Sequence, residues 1–186
     1  MTRWIFIGFL FLAGLLLVSM ARIRSSHSVV PYFLRYDSLA LNASPQIDIQ
    51  VNSIEKPDKA QLEKLEKDYI AIWAHLNYLY QHPNPRPSQE RFTERFYRNL
   101  AKNYQKGEAG SIQRKDSQHH LFIKTWSRDG LSCNLLDRDA QLTYLFPDGS
   151  SQTVTATVAV SLLFQGDNWR LDAIRFINET PNQPHL

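Results

Sequence analysis

Asp68, His75 and Tyr78, which can all exchange protons, share one stretch of the chain. Around them Leu62, Leu65, Tyr69, Ile72, Leu76 and Leu79 recur at spacings of three and four, the apolar stripe of an amphipathic helix. On such a helix Asp68 and His75 lie at similar azimuths, about two turns apart. A carboxylate, an imidazole and a phenol can exchange protons with a substrate if they line a cavity within hydrogen-bond reach of it and have shifted pKa values. Tyr144 and Asp172, in stretches of period two, complete the set of pocket candidates. All five also have an ordinary use as hydrogen-bonded or solvated groups, and Asp172 has Arg170 and Arg175 beside it as partners. No phosphate loop or nucleophile elbow accompanies them. No catalytic residue is therefore assigned, and the five are candidates for the case that the chain is an enzyme.

His119 and His120 raise the question of a metal. Neighbouring residues on a strand point to opposite faces, so the pair is not suited to one ion, and no cysteine or carboxylate stands at ligand spacing. Neither a metal nor a cofactor is expected. Cys133, the only cysteine, has no activating base near it in sequence and reads as a small buried hydrophobe. Lys124 with Trp126, and Trp169 with Arg170, resemble base-stacking platforms, but a net charge of +3 and the absence of an RNP motif argue against a nucleic-acid partner.

These residues need a scaffold, and 186 residues allow one domain with a short appendage. The appendage is Trp4 to Ala21, an uncharged run preceded by Arg3. As a helix it spans roughly 27 Å, close to the hydrocarbon thickness of a bilayer. An uncleaved anchor and a signal peptide cleaved after Ala21 are the two readings; the length of the run favours the anchor. Arg22, Arg24 and Arg35 count towards a cytoplasmic domain, whereas the short n-region with one Arg matches an export signal. The expected location is a single pass of the inner membrane with the folded domain on the extracytoplasmic, periplasmic side.

Four segments are expected: the membrane segment 1–21, an extended tether 22–57, a folded domain 58–178 and a disordered tail 179–186. Within the tether, Ile47, Ile49 and Val51 alternate with polar residues as an edge strand or strap would. A chain starting near Ile47 should therefore still fold. Asp58 or a neighbour opens the first helix, the proline-rich stretch His82 to Pro87 stops it, and Ser88 is placed as the N-cap of a second helix bearing Phe92, Phe96, Leu100 and Tyr104. Glu94 and Arg98 can pair on its outside. Gly107 and Gly110 close the helical half. From Gln118 the period becomes two, with turns at Asp129-Gly130, Pro147-Asp148-Gly149 and Gly166-Asp167-Asn168. Apolar residues are odd-numbered at Leu131, Cys133 and Leu135 but even-numbered from Ala140 to Phe146, so a bulge or bend is expected near Leu136 to Asp139. The strand from Thr153 to Phe164 places Val154, Ala156, Val158, Val160, Leu162 and Phe164 on one face for the helices to cover. The class is α+β, helices packed on a curled antiparallel sheet.

Helices followed by a curled meander that ends in Gly166, Trp169, Arg170 and Leu171 resemble the nuclear-transport-factor-2-like superfamily, also called SnoaL-like or ketosteroid-isomerase-like. The resemblance covers roughly residues 58 to 178 and implies a cone-shaped, cystatin-like fold. With a membrane helix in front, the layout is also similar to the inner-membrane assembly factors of type IV secretion systems, which implies a periplasmic protein-binding scaffold. The expected function is a membrane-tethered scaffold that binds a protein partner or a second copy of itself, with Thr153, Thr155, Thr157 and Ser161 as the interaction face. The alternative is a small-molecule-binding or isomerase-like pocket enzyme. A buried, paired Asp or His in the cone favours the enzyme; a cone filled by large apolar side chains favours the scaffold.

Overall fold

The computed structural model describes residues 37–41, 43–82, 84–104 and 112–182. The run 4–21 expected to be a membrane segment, the start of the expected tether, Gly107, Gly110 and the end of the expected tail lie outside them. No helix among the described residues is long and apolar enough to cross a membrane.

A short helix α1 (Ser38–Leu41) precedes strand β1 (Gln46–Val51) and the long helix α2 (Lys59–Gln81). A 3-10 helix (Arg86–Arg91) and α3 (Glu94–Tyr104) follow. Four long strands complete the chain: β2 (Gln113–Trp126), β3 (Ser132–Leu145), β4 (Ser151–Gln165) and β5 (Asn168–Pro181). They form one five-stranded sheet in the order β1-β2-β3-β4-β5. The fold is α+β, as expected, but the sheet is mixed: β1 runs parallel to β2, with Ile47 opposite His119 and Ile49 opposite Leu121. Parallel neighbours need a long crossover, and here both α2 and α3 lie between β1 and β2 in sequence. The segment expected as tether thus supplies an edge strand.

Asp58 begins α2 with a capping box. Its Oδ1 accepts from the Gln61 amide at 2.8 Å, and Gln61 Oε1 accepts from the Asp58 amide at 2.9 Å. Such a cap is worth about 1 kcal/mol. Leu65, Tyr69, Ile72, Trp73, Leu76 and Leu79 are buried in one core with Val154, Ala156, Val158, Val160 and Leu162 of β4. The second helix starts later than expected. Ser88 sits buried inside the 3-10 helix, and the side chain that caps α3 is Thr93, whose Oγ1 accepts from the Phe96 amide at 3.3 Å. Pro85 and Pro87 favour the tighter turn. Glu94 and Arg98 pair at 2.7 Å. β5 continues to Pro181, beyond the expected start of the tail at 179.

The bulge on β3 falls where the change of phase demands it. Asp137 pairs with Val158 and Ala140 with Ala156, so β3 carries one extra residue there, and Asp139 adopts a left-handed φ of 55°. A second bulge lies on β2, where Asp116 pairs with Leu142 and Gln118 with Gln141. A bulge re-aims the side chains on either side of it. These two turn Asp116, His119, Asp137 and Ala140 all towards the helix-covered face.

Candidate functional site

That face holds a buried polar network centred on His119. The ring is fully buried, with Nδ1 2.6 Å from Asp137 Oδ2 and Nε2 3.0 Å from Asp116 Oδ2. Tyr69 of α2 donates its hydroxyl to Asp137 Oδ2 at 2.8 Å, and the His120 amide donates to Asp137 Oδ1 at 3.1 Å. Asn77, two turns further along α2 than Tyr69, donates to Asp116 and accepts from Arg114 Nε at 2.7 Å. The Arg114 guanidinium lies 4.2 Å from the Tyr80 ring centre and 5.1 Å from that of Trp73. Trp73 closes the other side, 4.8 Å from the His119 ring.

Burial by itself would depress the His119 pKa. Hydrogen bonds to Asp116 and Asp137, and the charges of both, outweigh it and raise the pKa to about 9. The ring is therefore an imidazolium at neutral pH. Burial, and then the charge of Asp137, push the Tyr69 hydroxyl well above its ordinary range. Two carboxylates, an imidazolium and a guanidinium sum to zero charge, which is how an ionic cluster survives away from water. The parts are those of an acid–base catalyst, but an imidazolium has no lone pair to act as a base. Tyr69, His119 and Asp137 each have 0% exposure, so a substrate cannot touch them in this arrangement.

The five pocket candidates lie elsewhere. Asp68 and His75 do share a face of α2, and Arg91 and Asp37 join them into a second cluster. Asp68 accepts from Lys64 Nζ at 2.7 Å and from the Trp169 amide at 2.9 Å, with Arg91 Nη1 at 3.6 Å. His75 contacts Ser88 Oγ at 2.9 Å and Asp37 at 3.2 Å, and Arg91 Nη2 donates to Asp37 at 2.6 Å. Burial would raise the Asp37 pKa, yet hydrogen bonds from His75, Arg91 and the Ala40 amide, with the charge of His75, hold it well below the usual range. This cluster fastens α1, α2, the 3-10 helix and the β4–β5 turn to one another. Tyr78 stacks on the His82 ring at 4.1 Å. Tyr144 donates to Glu179 at 2.7 Å. Asp172 does not pair with Arg170 or Arg175 as expected; it accepts from Thr93 Oγ1 at 2.8 Å and from Arg95. A bulge at Asp172, between the pairs Ala173–Ser161 and Leu171–Leu162, takes it out of their alternation.

His119 and His120 do point to opposite faces, and His120 lies 3.8 Å from Asp48. Cys133 is fully buried, and burial pushes its thiol up to about 12. Trp126 and Trp169 pack on each other in the core with ring centres 5.0 Å apart, so neither is a surface platform. Sequence reasoning passed over His119, Asp116 and Asp137 as a set. The signal was present for two of them: His119 is in phase with Leu121 and Ile123, and Asp137 with Cys133 and Leu135.

The opposite face of the sheet carries Thr153, Thr155, Thr157 and Ser161, which alternate on β4 with the buried Val154, Ala156, Val158, Val160 and Leu162. Three of the four expected interaction residues are bound within it: Thr153 to Thr143 at 3.0 Å, Thr155 to Gln141 at 3.0 Å, and Ser161 to Asn134 at 2.6 Å. Thr157 is half-buried and makes no side-chain hydrogen bond among the described residues. Beside them lies a groove of about 270 Å3, with Leu136, Ala159 and Ala173 in its lining.

No family model matches the chain, and no curated protein or solved structure matches it.

Proposed function

We propose that the chain is a membrane-tethered scaffold whose sheet binds protein, either a partner or a second copy, on the face away from α2. The carrying observation is the sealed interior. The acid–base groups are charge-paired and walled in by Tyr69 and Trp73, so what a partner can touch is the other face. Helices on one side of a sheet bent by bulges, ending in the Gly166 to Leu171 hairpin, support a cone of the SnoaL-like kind. The apolar run 4–21 supports a membrane tether, with the domain on the extracytoplasmic side and a role in an envelope or secretion assembly.

The test places a photo-crosslinking residue at Thr157 in the full-length chain, in cells that produce it. The reading expects a protein adduct of defined mass, abolished when the neighbouring Ser161 is replaced by Arg. No adduct from position 157 or from position 161 would remove this face as an interaction surface. Extraction at alkaline pH tests the tether: the full chain should stay with the membrane, and a chain lacking residues 4–21 should not.

The pocket-enzyme reading keeps one observation in its favour, the His119–Asp137 pair with Tyr69 beside it. It requires α2 to move off the sheet. Proton exchange next to a ketone in deuterium oxide, catalysed by the full chain and lost in His119→Gln, would support it. Exchange no faster than buffer leaves the scaffold reading.

A further inference from the structure

The face assigned to protein binding carries a group of cations that form no ion pair among the described residues. Register places Arg175 beside Ala159, Ala159 beside Leu136, and Leu136 beside Phe122, in one row across four strands. Arg138 lies over the Phe122 ring at 4.5 Å. Arg170, opposite Leu163, extends the same face towards the β4–β5 turn. Lys124 and Arg175 line the groove itself. None of these four cations makes an ion pair among the described residues, although Lys64, Arg91, Arg95 and Arg98 on the helical side all do. Among the nearby carboxylates, Asp137 faces inward to His119 and Asp172 is held by Thr93 and Arg95, while Asp48 lies beside His120 and Asp139 follows Arg138 at the β3 bulge.

The groove gives this charge a shape. Ala159, Ser161 and Ala173 are small, and they sit between the longer Leu136, Lys124 and Arg175. Asn134 is bound to Thr125 at 2.8 Å and to Ser161, so the floor is tied across three strands. The wall that water touches in this concavity is largely apolar.

Resting on the protein-binding reading, we propose that the groove between Lys124 and Arg175 receives an acidic, amphipathic protein segment. An apolar side chain of the partner enters over Ala159 and Ala173, and carboxylates on either side of it meet Lys124, Arg138, Arg170 and Arg175. Opposed potentials of this kind speed encounter and fix register, and they weaken with salt. An anionic lipid surface matches the charge but not the shape, because a flat bilayer cannot fill a concavity on a sheet.

The test uses the full-length chain in neutral detergent and a fluorescein-labelled peptide of alternating Glu and Leu. Fluorescence anisotropy should report saturable binding, weakened about tenfold or more by Lys124→Glu with Arg175→Glu, and weakened by added salt. Ala173→Trp, which fills the groove without changing charge, should weaken it as well. Lys59→Glu, a charge change of the same sign on α2, should leave it unchanged. Circular dichroism identifies a variant that fails to fold, and Ala159→Ser then serves as a milder second probe of the floor. Absence of saturable binding, or equal binding by the double charge variant, overturns the proposal. So does capture of phosphatidylglycerol vesicles through the same residues without capture of the peptide. If the peptide fails but crosslinking from position 157 still yields a protein adduct, the acidic partner is wrong and protein binding stands. If both fail, the protein-binding reading falls with it.

Discussion

Two buried clusters hold α2 in place, and they are built from the same chemistry in opposite ways. Around His119, the carboxylates Asp116 and Asp137 come from the sheet and the cation lies between them, fully buried. Around Asp37, the carboxylate lies between its donors, with the Arg91 guanidinium on one side and the His75 ring on the other, and its side chain keeps 21% exposure. The first cluster is made by β-bulges within the core. The second depends on a residue that precedes β1. The difference teaches where each should fail. A buried cation held by two acids is lost when it gives up its proton. A carboxylate held by a guanidinium and hydrogen-bond donors is lost when it gains one.

The largest effect should come from removing a shared acid in the inner cluster. Asp137→Ala leaves His119 Nδ1, the Tyr69 hydroxyl and the His120 amide without their acceptor and the imidazolium with Asp116 alone, and should cost about 3–5 kcal/mol in urea unfolding. Asp137→Asn with His119→Gln should cost less than the sum of the single changes, because neither then leaves an unpaired charge. Additivity would mean that the two side chains act independently.

The pH dependence comes next. The His119 pKa is raised from 6.5 to about 9, so its contribution is complete below about pH 6.5 and disappears as the pH rises through about 9. A shift of that size corresponds to on the order of 3 kcal/mol. His119→Gln should flatten this alkaline limb of a stability profile. The Asp37 contribution has the opposite sign. It is present above the ordinary carboxylate range and fades as the pH falls below it, so Asp37→Ala should flatten the acid limb alone. If one substitution alters both limbs, the clusters are not separate.

Asp37→Ala should itself cost about 1–3 kcal/mol near neutral pH, since it leaves buried Arg91 and His75 without their acceptor. A chain starting at Ile47 loses the same group and should still fold, but with a matching drop in melting temperature. At the small end, Thr157→Asp on the open face should change monomer stability by no more than about 0.5 kcal/mol. Val158→Asp, one residue away and fully buried, should cost several times as much.

Local rules carried much of the fold. The Asp58 cap, the apolar stripe of α2, the three glycine turns and the phase change between Leu136 and Asp139 could each be read from neighbouring residues. What could not be read was pairing at a distance. β1 alternates like any edge strand, and nothing in Ile47, Ile49 or Val51 states whether it lies parallel or antiparallel to its neighbour. Ser88 looks like a cap in sequence, but the prolines around it favour a 3-10 turn and His75 takes its hydroxyl. The inner site was half legible. The phase placed His119 and Asp137 inward, each on its own strand. Their meeting, and that of Asp116 with His119, depends on how two bulges fall opposite each other, which period alone does not give.

The central claim, that the acid–base groups inside the sheet are a sealed and charge-paired brace, is tested most directly by the His119 ring itself. Long-range proton–nitrogen NMR of the 15N-labelled protein reads the protonation of both ring nitrogens across pH. The account predicts a doubly protonated ring at pH 7, a titration midpoint near 9, and ring protons slow to exchange with water. A neutral ring at pH 7 that titrates near 6.5 with fast-exchanging protons would contradict it, and would make His119 a candidate catalyst.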